Sequence, residues 1–161
     1  MYFTNFIMYF RELNMYHISY RDDRRLDRQR EAISAHADED MTHSRMFMRD
    51  LRTLGWDDML GWRPSELYYW LFLSEVNEQL RRRTTQITKL VIEAEDPMVR
   101  FAVVESIEAC GNALFRHTQK LASEYTARIG KELIYWGDFH LARETGHAVD
   151  DDAFEEADLT E

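Results

Sequence analysis

The sequence predicts an all-α protein, a single bundle of about five to seven helices. Three observations carry this. The 161 residues include only two prolines and six glycines, too few turns for a many-stranded sheet. Apolar residues make up 45% of the chain, enough for a core in one domain of this length. Several stretches place them at helical rather than alternating spacing.

The elements follow in order. Residues 3–20 are dense in aromatics and methionine and read as a buried first helix. Arg28 to Leu54 is the clearest long helix, with Ile33, Met41, Phe47, Met48 and Leu51 at roughly helical intervals and Gly55 just past its end. Pro64 suits the start of another. The stretch from Ser65 to Leu80, rich in Leu, Tyr and Trp, leads into a helix that continues over Thr84 to Ala94. The AEDP stretch, Ala94 to Pro97, interrupts it. Met98 to about Tyr125 is helical, with a bend expected near Gly111, and Gly130 marks a boundary. Glu132 to about Val149 is the last strong helix. The bundle domain is therefore drawn at residues 1–149, followed by an acidic tail, 150–161, with seven acids and no base.

Composition also restricts function. Thirty acidic and twenty basic residues give a net charge of −10, which argues against a nucleic-acid partner. A lone cysteine, Cys110, excludes an intrachain disulfide framework and an all-cysteine zinc site. The apolar start is too short to span a bilayer and lacks the flanks of an export signal, so the expected location is the cytoplasm, without a membrane partner. No glycine-rich phosphate loop and no GxSxG elbow occurs in the sequence.

Four of the six histidines fall in two matched octets, His36-ADEDMT-His43 and His140-LARETG-His147. On an ideal helix His36, Glu39 and His43 lie within about 60° of one another, as do His140, Glu144 and His147. Each octet thus offers two imidazoles and a carboxylate along one stripe. Random placement gives about 0.2 histidine pairs at this spacing, so the repetition points away from coincidence. Imidazole and carboxylate donors on facing helices suit iron, manganese or zinc, and helical bundles build carboxylate-bridged dimetal sites in this manner. The competing reading leaves these histidines capping helices or on solvated faces. A further carboxylate is expected from FAVVESIEACG. Its two acids, Glu105 and Glu108, stand one turn apart in an apolar run, and Glu105 is the preferred inward group. Glu75 and Glu78 are weaker candidates. The methionines, the tryptophans and Tyr68, Tyr69 and Tyr135 are expected to pack in the core. His117 is expected to be exposed, and Arg81 to Arg83 to lie on a solvated face or meet nearby acids.

These residues resemble a known family, the haem-oxygenase-like metal-dependent oxidases and oxygenases, an all-helical superfamily that also contains TenA-type thiaminases and pyrroloquinoline-quinone synthase. FHLARETGH looks like the family's histidine, three residues, carboxylate, two residues, histidine pattern, filled by His140, Glu144 and His147. HADEDMTHSRMFMRDLRTLG looks like its first metal helix, matched best by Glu39 and His43, with His36 as an extra candidate. Glu105 or Glu108 occupies the place of the middle glutamate. Glu144 departs from the aspartate commoner in the family.

The resemblance implies a non-haem centre of two iron ions, with manganese the alternative metal, O₂ as co-substrate, and oxidation of a small molecule. Its metal ligands would be Glu39, His43, Glu105, His140, Glu144 and His147, with His36 and Glu108 as further candidates. A homodimer is expected, to cover the aromatic first helix. Two other readings compete: a non-catalytic binding or assembly protein with a lost or partial metal site, and a haem or metal carrier on the same fold.

Overall fold

A computed structural model describes residues 17–20, 27–41 and 43–147, the side chains up to residue 143. The expected first helix lies mostly outside the described residues, as do residues 148–161 with the acidic tail. The chain is all-α, and there is no strand among the described residues. No helix among them is long and apolar enough to cross a membrane.

The α-helices are α1 (Arg28–Asp40), α2 (His43–Thr53), α3 (Trp56–Leu60), α4 (Pro64–Tyr68), α5 (Glu78–Glu93), α6 (Pro97–Ile129) and α7 (Asp138–His147). A π-helical segment, Tyr69–Leu73, and a 3₁₀ turn, Glu75–Asn77, join α4 to α5. The chain forms two compact units, residues 1–103 and 104–161, divided within α6.

In the first unit, Asp27 caps α1 by accepting the Arg30 backbone N–H at 2.9 Å. The single long helix expected over 28–54 is two helices, with Met41 the cap between them. The last turn of α1 holds Asp38, Glu39 and Asp40 and no base. Negative charge there opposes the partial negative end of the helix dipole and favours termination. Gly55 follows α2 in the left-handed region (φ 71°), and Pro64 opens α4, both as the sequence indicates.

The apolar run after Pro64 does not continue as one α-helix. Its i→i+5 segment closes through Ser74 N–H to Tyr69 C=O at 2.9 Å, and Ser74 then turns extended (ψ 142°). The carbonyls released by this break are bonded by side chains. Trp70 C=O accepts from Ser74 Oγ at 2.6 Å and from Asn77 Nδ2 at 2.7 Å. Arg81 donates to Leu71 C=O at 3.0 Å and to Ser74 C=O at 2.9 Å. The basic run is thus divided: Arg81 serves the backbone, while Arg82 pairs with Glu78 at 2.7 Å. Helix α5 ends at Glu93 before an extended Ala94, as the AEDP stretch predicts.

This unit buries Ile18, Ile33, Ala37, Phe47 and Val91, together with Asp40, His43, Ser44, Asp50, Ser74, Asn77 and Thr84. Arg100, in the first turn of α6, holds the residue 17–20 segment. Its guanidinium lies 4.3 Å from the Tyr20 ring centroid and donates to His17 C=O at 3.0 Å. Among the described residues of this unit, the methionines and the Tyr68 and Tyr69 rings expected in the core are not buried. Met59 is 77% exposed, Tyr68 and Tyr69 are exposed, and Met41, Met46 and Met48 are half-buried. The π segment and the break at Ser74 interrupt the helical stripe that would have carried Tyr68 and Tyr69 inward.

In the second unit α6 is continuous across Gly111. Val104, Glu108, Phe115 and Ala122 are its buried residues, at intervals of four and seven that keep one face toward the interior. Gly130 (φ 71°) marks its end. The last helix is shorter than expected. Residues 131–137 are irregular and α7 starts at Asp138, because Leu133, Tyr135 and Gly137 are drawn inward on alternating positions, a pattern of period two. The Gln119 side chain donates to Asp138, joining α6 to α7.

Candidate functional site

The first octet does not lie on one helix. His36 is on α1, Asp40 is the last residue of α1, and His43 is the first residue of α2. The break brings Asp40 between the two imidazoles. His43 Nδ1 is 3.3 Å from Asp40 Oδ1, and both side chains have no solvent exposure. His36 Nε2 is 3.9 Å from Asp40 Oδ2, with the His36 side chain 17% exposed. Glu39 is half-buried. The acid placed between the histidines is therefore Asp40 and not Glu39. Its signal was there in the intervals: Asp40 is four residues after His36 and three before His43, both one helical turn.

The His36 and Asp40 donor atoms are within reach of one cation. His43 faces Asp40 with Nδ1, and a carboxylate beside Nδ1 directs the imidazole lone pair through Nε2, as in carboxylate–histidine–metal groups. Two donors with bonds of about 2.1 Å to one ion stand roughly 3–3.5 Å apart at tetrahedral or octahedral angles. The 3.9 Å between His36 and Asp40 needs a small closure to reach that range. The same geometry also suits a structural ion pair, because a buried carboxylate is costly unless cationic or hydrogen-bonding groups surround it.

In the second unit, Glu108 is buried at 6% exposure and Glu105 is half-buried, the reverse of the expected order. Glu108 shares the α6 stripe with Val104 and Phe115, four residues before it and seven after, while Glu105 is turned off that stripe.

His140, in the first turn of α7, is fully buried. Its Nδ1 lies 2.9 Å from Tyr135 C=O. A carbonyl only accepts, so Nδ1 carries the hydrogen and the lone pair of the neutral ring belongs to Nε2. Aromatic rings fix the imidazole plane. Phe115 meets it edge-on at 4.2 Å, and Tyr135 stacks on it at 4.5 Å with 29° between planes. The backbone carbonyl on Nδ1 fixes which ring nitrogen carries the hydrogen, a feature shared by metal-binding and by well-packed core histidines. Glu144 and His147 follow on α7 at intervals of four and seven from His140, which keeps their backbone positions on its face. Their side chains lie outside the described residues.

His117 is exposed, as expected, and Cys110 is an exposed free thiol. Glu75 is exposed, and Glu78 is committed to Arg82. No family model matches the chain, and no curated protein matches it.

Proposed function

We propose that this is a metal-dependent oxidase or oxygenase of the non-haem type, acting on a small molecule. The observation that supports it best is the buried Asp40 carboxylate, 3.3 Å from one imidazole and 3.9 Å from another. In this reading His36 donates through Nε2 and Asp40 through Oδ2 to one ion, while Asp40 Oδ1 faces His43 Nδ1, so that the His43 Nε2, directed away from Asp40, serves a separate ion. By the family resemblance, Glu39 would be the remaining acid of the first octet, and Glu105 or Glu108, His140, Glu144 and His147 the donors that the second unit offers. Iron bound by such nitrogen and oxygen donors would supply the electrons for O₂ reduction. The protein's own part is to hold ligand geometry and keep the donors dry, and the complete burial of Asp40, His43 and His140 serves both.

A second reading, a non-catalytic binding protein, is favoured by one observation: Met59, Tyr68, Tyr69, Leu73 and Val76, all near α4 and the π segment, are more than half exposed. The test is anaerobic loading with Fe(II), desalting, and metal analysis, followed by O₂ consumption. Two irons per chain with O₂ uptake support the dimetal oxidase. One iron, lost in Asp40→Asn, supports the first octet alone as the site. No retained iron leaves the binding protein.

A further inference from the structure

We propose that the segment linking α3 to the π helix forms a binding site for a small organic ammonium ion, separate from the histidine sets and independent of the oxidase reading. Trp62, Ser65, Glu66, Tyr69 and Trp70 line an open groove of about 420 Å³. The Trp62 and Trp70 rings stand 5.6 Å apart between centroids, with 57° between their planes. At this spacing the two indoles pack against each other, so a ligand meets only the part of their surface that borders the groove. Tyr69, 61% exposed, adds an aromatic ring at the rim.

Charge selects the ligand. Aromatic faces carry negative potential and attract cations, most strongly when the rings are indoles. The acid of the groove is Glu66, and no lysine or arginine lines it. The chain's net charge of −10 adds to the attraction for cations. An inorganic ion would need several oxygen ligands, whereas this lining offers one carboxylate, one hydroxyl and three rings. An alkylated ammonium, weakly hydrated and apolar at its surface, suits it better.

The backbone fixes the parts in place. Glu66 Oε2 accepts the Arg63 N–H at 2.8 Å, which orients the carboxylate from the start of α4. The Trp70 carbonyl is held twice, by Ser74 Oγ and Asn77 Nδ2. The π register that exposes Tyr69 is therefore locked from behind, by a buried asparagine, and the lining is prepared before a ligand arrives.

The experiment uses the full-length, metal-free protein labelled with 5-fluorotryptophan, its four resonances assigned through single Trp→Phe variants. Choline is titrated beside its uncharged carbon isostere, 3,3-dimethylbutan-1-ol. Saturable shifts of the Trp62 and Trp70 resonances with choline, and binding of the isostere weaker by about tenfold or more, are expected. Glu66→Gln retains an oxygen acceptor for the Arg63 N–H and removes only the charge, so it should weaken choline about threefold to tenfold without changing the far-UV circular dichroism of the free protein. Equal response to choline and the isostere, or saturation confined to Trp56 and Trp136, or no saturation, would overturn the proposal. Since no metal is added, failure here leaves the iron experiment untouched.

Discussion

Asp40 Oδ1 lies 3.3 Å from His43 Nδ1, across the junction of two helices, and neither side chain reaches solvent. A break that would otherwise be a weak point in the fold is thereby spanned by a close carboxylate–imidazole pair in a water-poor environment. The pair also gives the chain a test that separates a metal donor from a structural tie.

Asp40→Asn keeps volume and one acceptor oxygen but removes the charge. If Asp40 both offers an oxygen to the ion and orients His43, Fe(II) or Co(II) affinity should fall by more than the roughly 10–100-fold usual for losing an outer partner alone. The urea midpoint should move less than in Asp40→Ala, which strips both imidazoles of their acid and is expected to cost about 2–4 kcal/mol. Isothermal titration and urea unfolding on the same preparations check both. Equal metal affinity in wild type and Asp40→Asn would make the pair a structural one.

His140 calls for a different pair of variants. His140→Ala removes a fully buried ring that touches Phe115 and Tyr135 and should destabilise by about 2–4 kcal/mol through the cavity it leaves. His140→Phe fills the space but leaves the Tyr135 carbonyl without the Nδ1–H donor, a cost of about 1–3 kcal/mol. Denaturant unfolding ranks them. A Phe variant as stable as wild type would show that the ring's packing, and not its hydrogen bond, matters for the fold.

Helix class was legible in the chain because it depends on local quantities: few breakers, helical apolar spacing, and glycine or proline at Gly55, Pro64, Pro97 and Gly130. Two features were not. The break after Asp40 arises from the charge of the last turn acting on a helix dipole, and an apolar count over Ile33, Phe47 and Leu51 does not register it. The π segment depends on Asn77 and Arg81, seven and ten residues beyond the carbonyls they serve. Such medium-range bonds leave no periodic trace. The site was half legible for the same reason. Periodicity singled out the histidines, but the choice of Asp40 over Glu39 followed from where the helix stops.

Asn77 is the residue on which the π register rests. It is fully buried, and its amide donates to Trp70 C=O at 2.7 Å. Asn77→Leu removes that donor, and the Trp70 carbonyl retains Ser74 Oγ alone. A loss of about 1–3 kcal/mol is expected, with faster amide exchange over residues 69–77 than in wild type. Arg81→Lys should have a smaller, parallel effect, because a lysine reaches one of the two carbonyls that the guanidinium bridges. Hydrogen exchange confined to regions remote from 69–77 would contradict this assignment.

Gly137 sets the entry into α7, and its constraint is contact rather than dihedral. A Cβ built there would stand 2.2 Å from the Leu133 carbonyl oxygen. That atom is backbone and cannot rotate aside, so the loop carrying Leu133 and Tyr135 must shift for an alanine to fit. Tyr135 holds His140 through its carbonyl, and the displacement would therefore reach the imidazole. Gly130 offers the contrast. Its φ is +71°, but nothing lies within 4 Å of the equivalent Cβ. Gly130→Ala should cost about 1 kcal/mol, the ordinary strain of a left-handed alanine. Gly137→Ala should cost about 2–4 kcal/mol, as overpacking against a fixed group does. The His140 ring resonances should move in Gly137→Ala and stay in place in Gly130→Ala. Unfolding curves together with imidazole NMR decide the matter: equal stabilities, or a His140 signal indifferent to Gly137→Ala, would mean that the 133–137 loop yields without carrying the histidine with it.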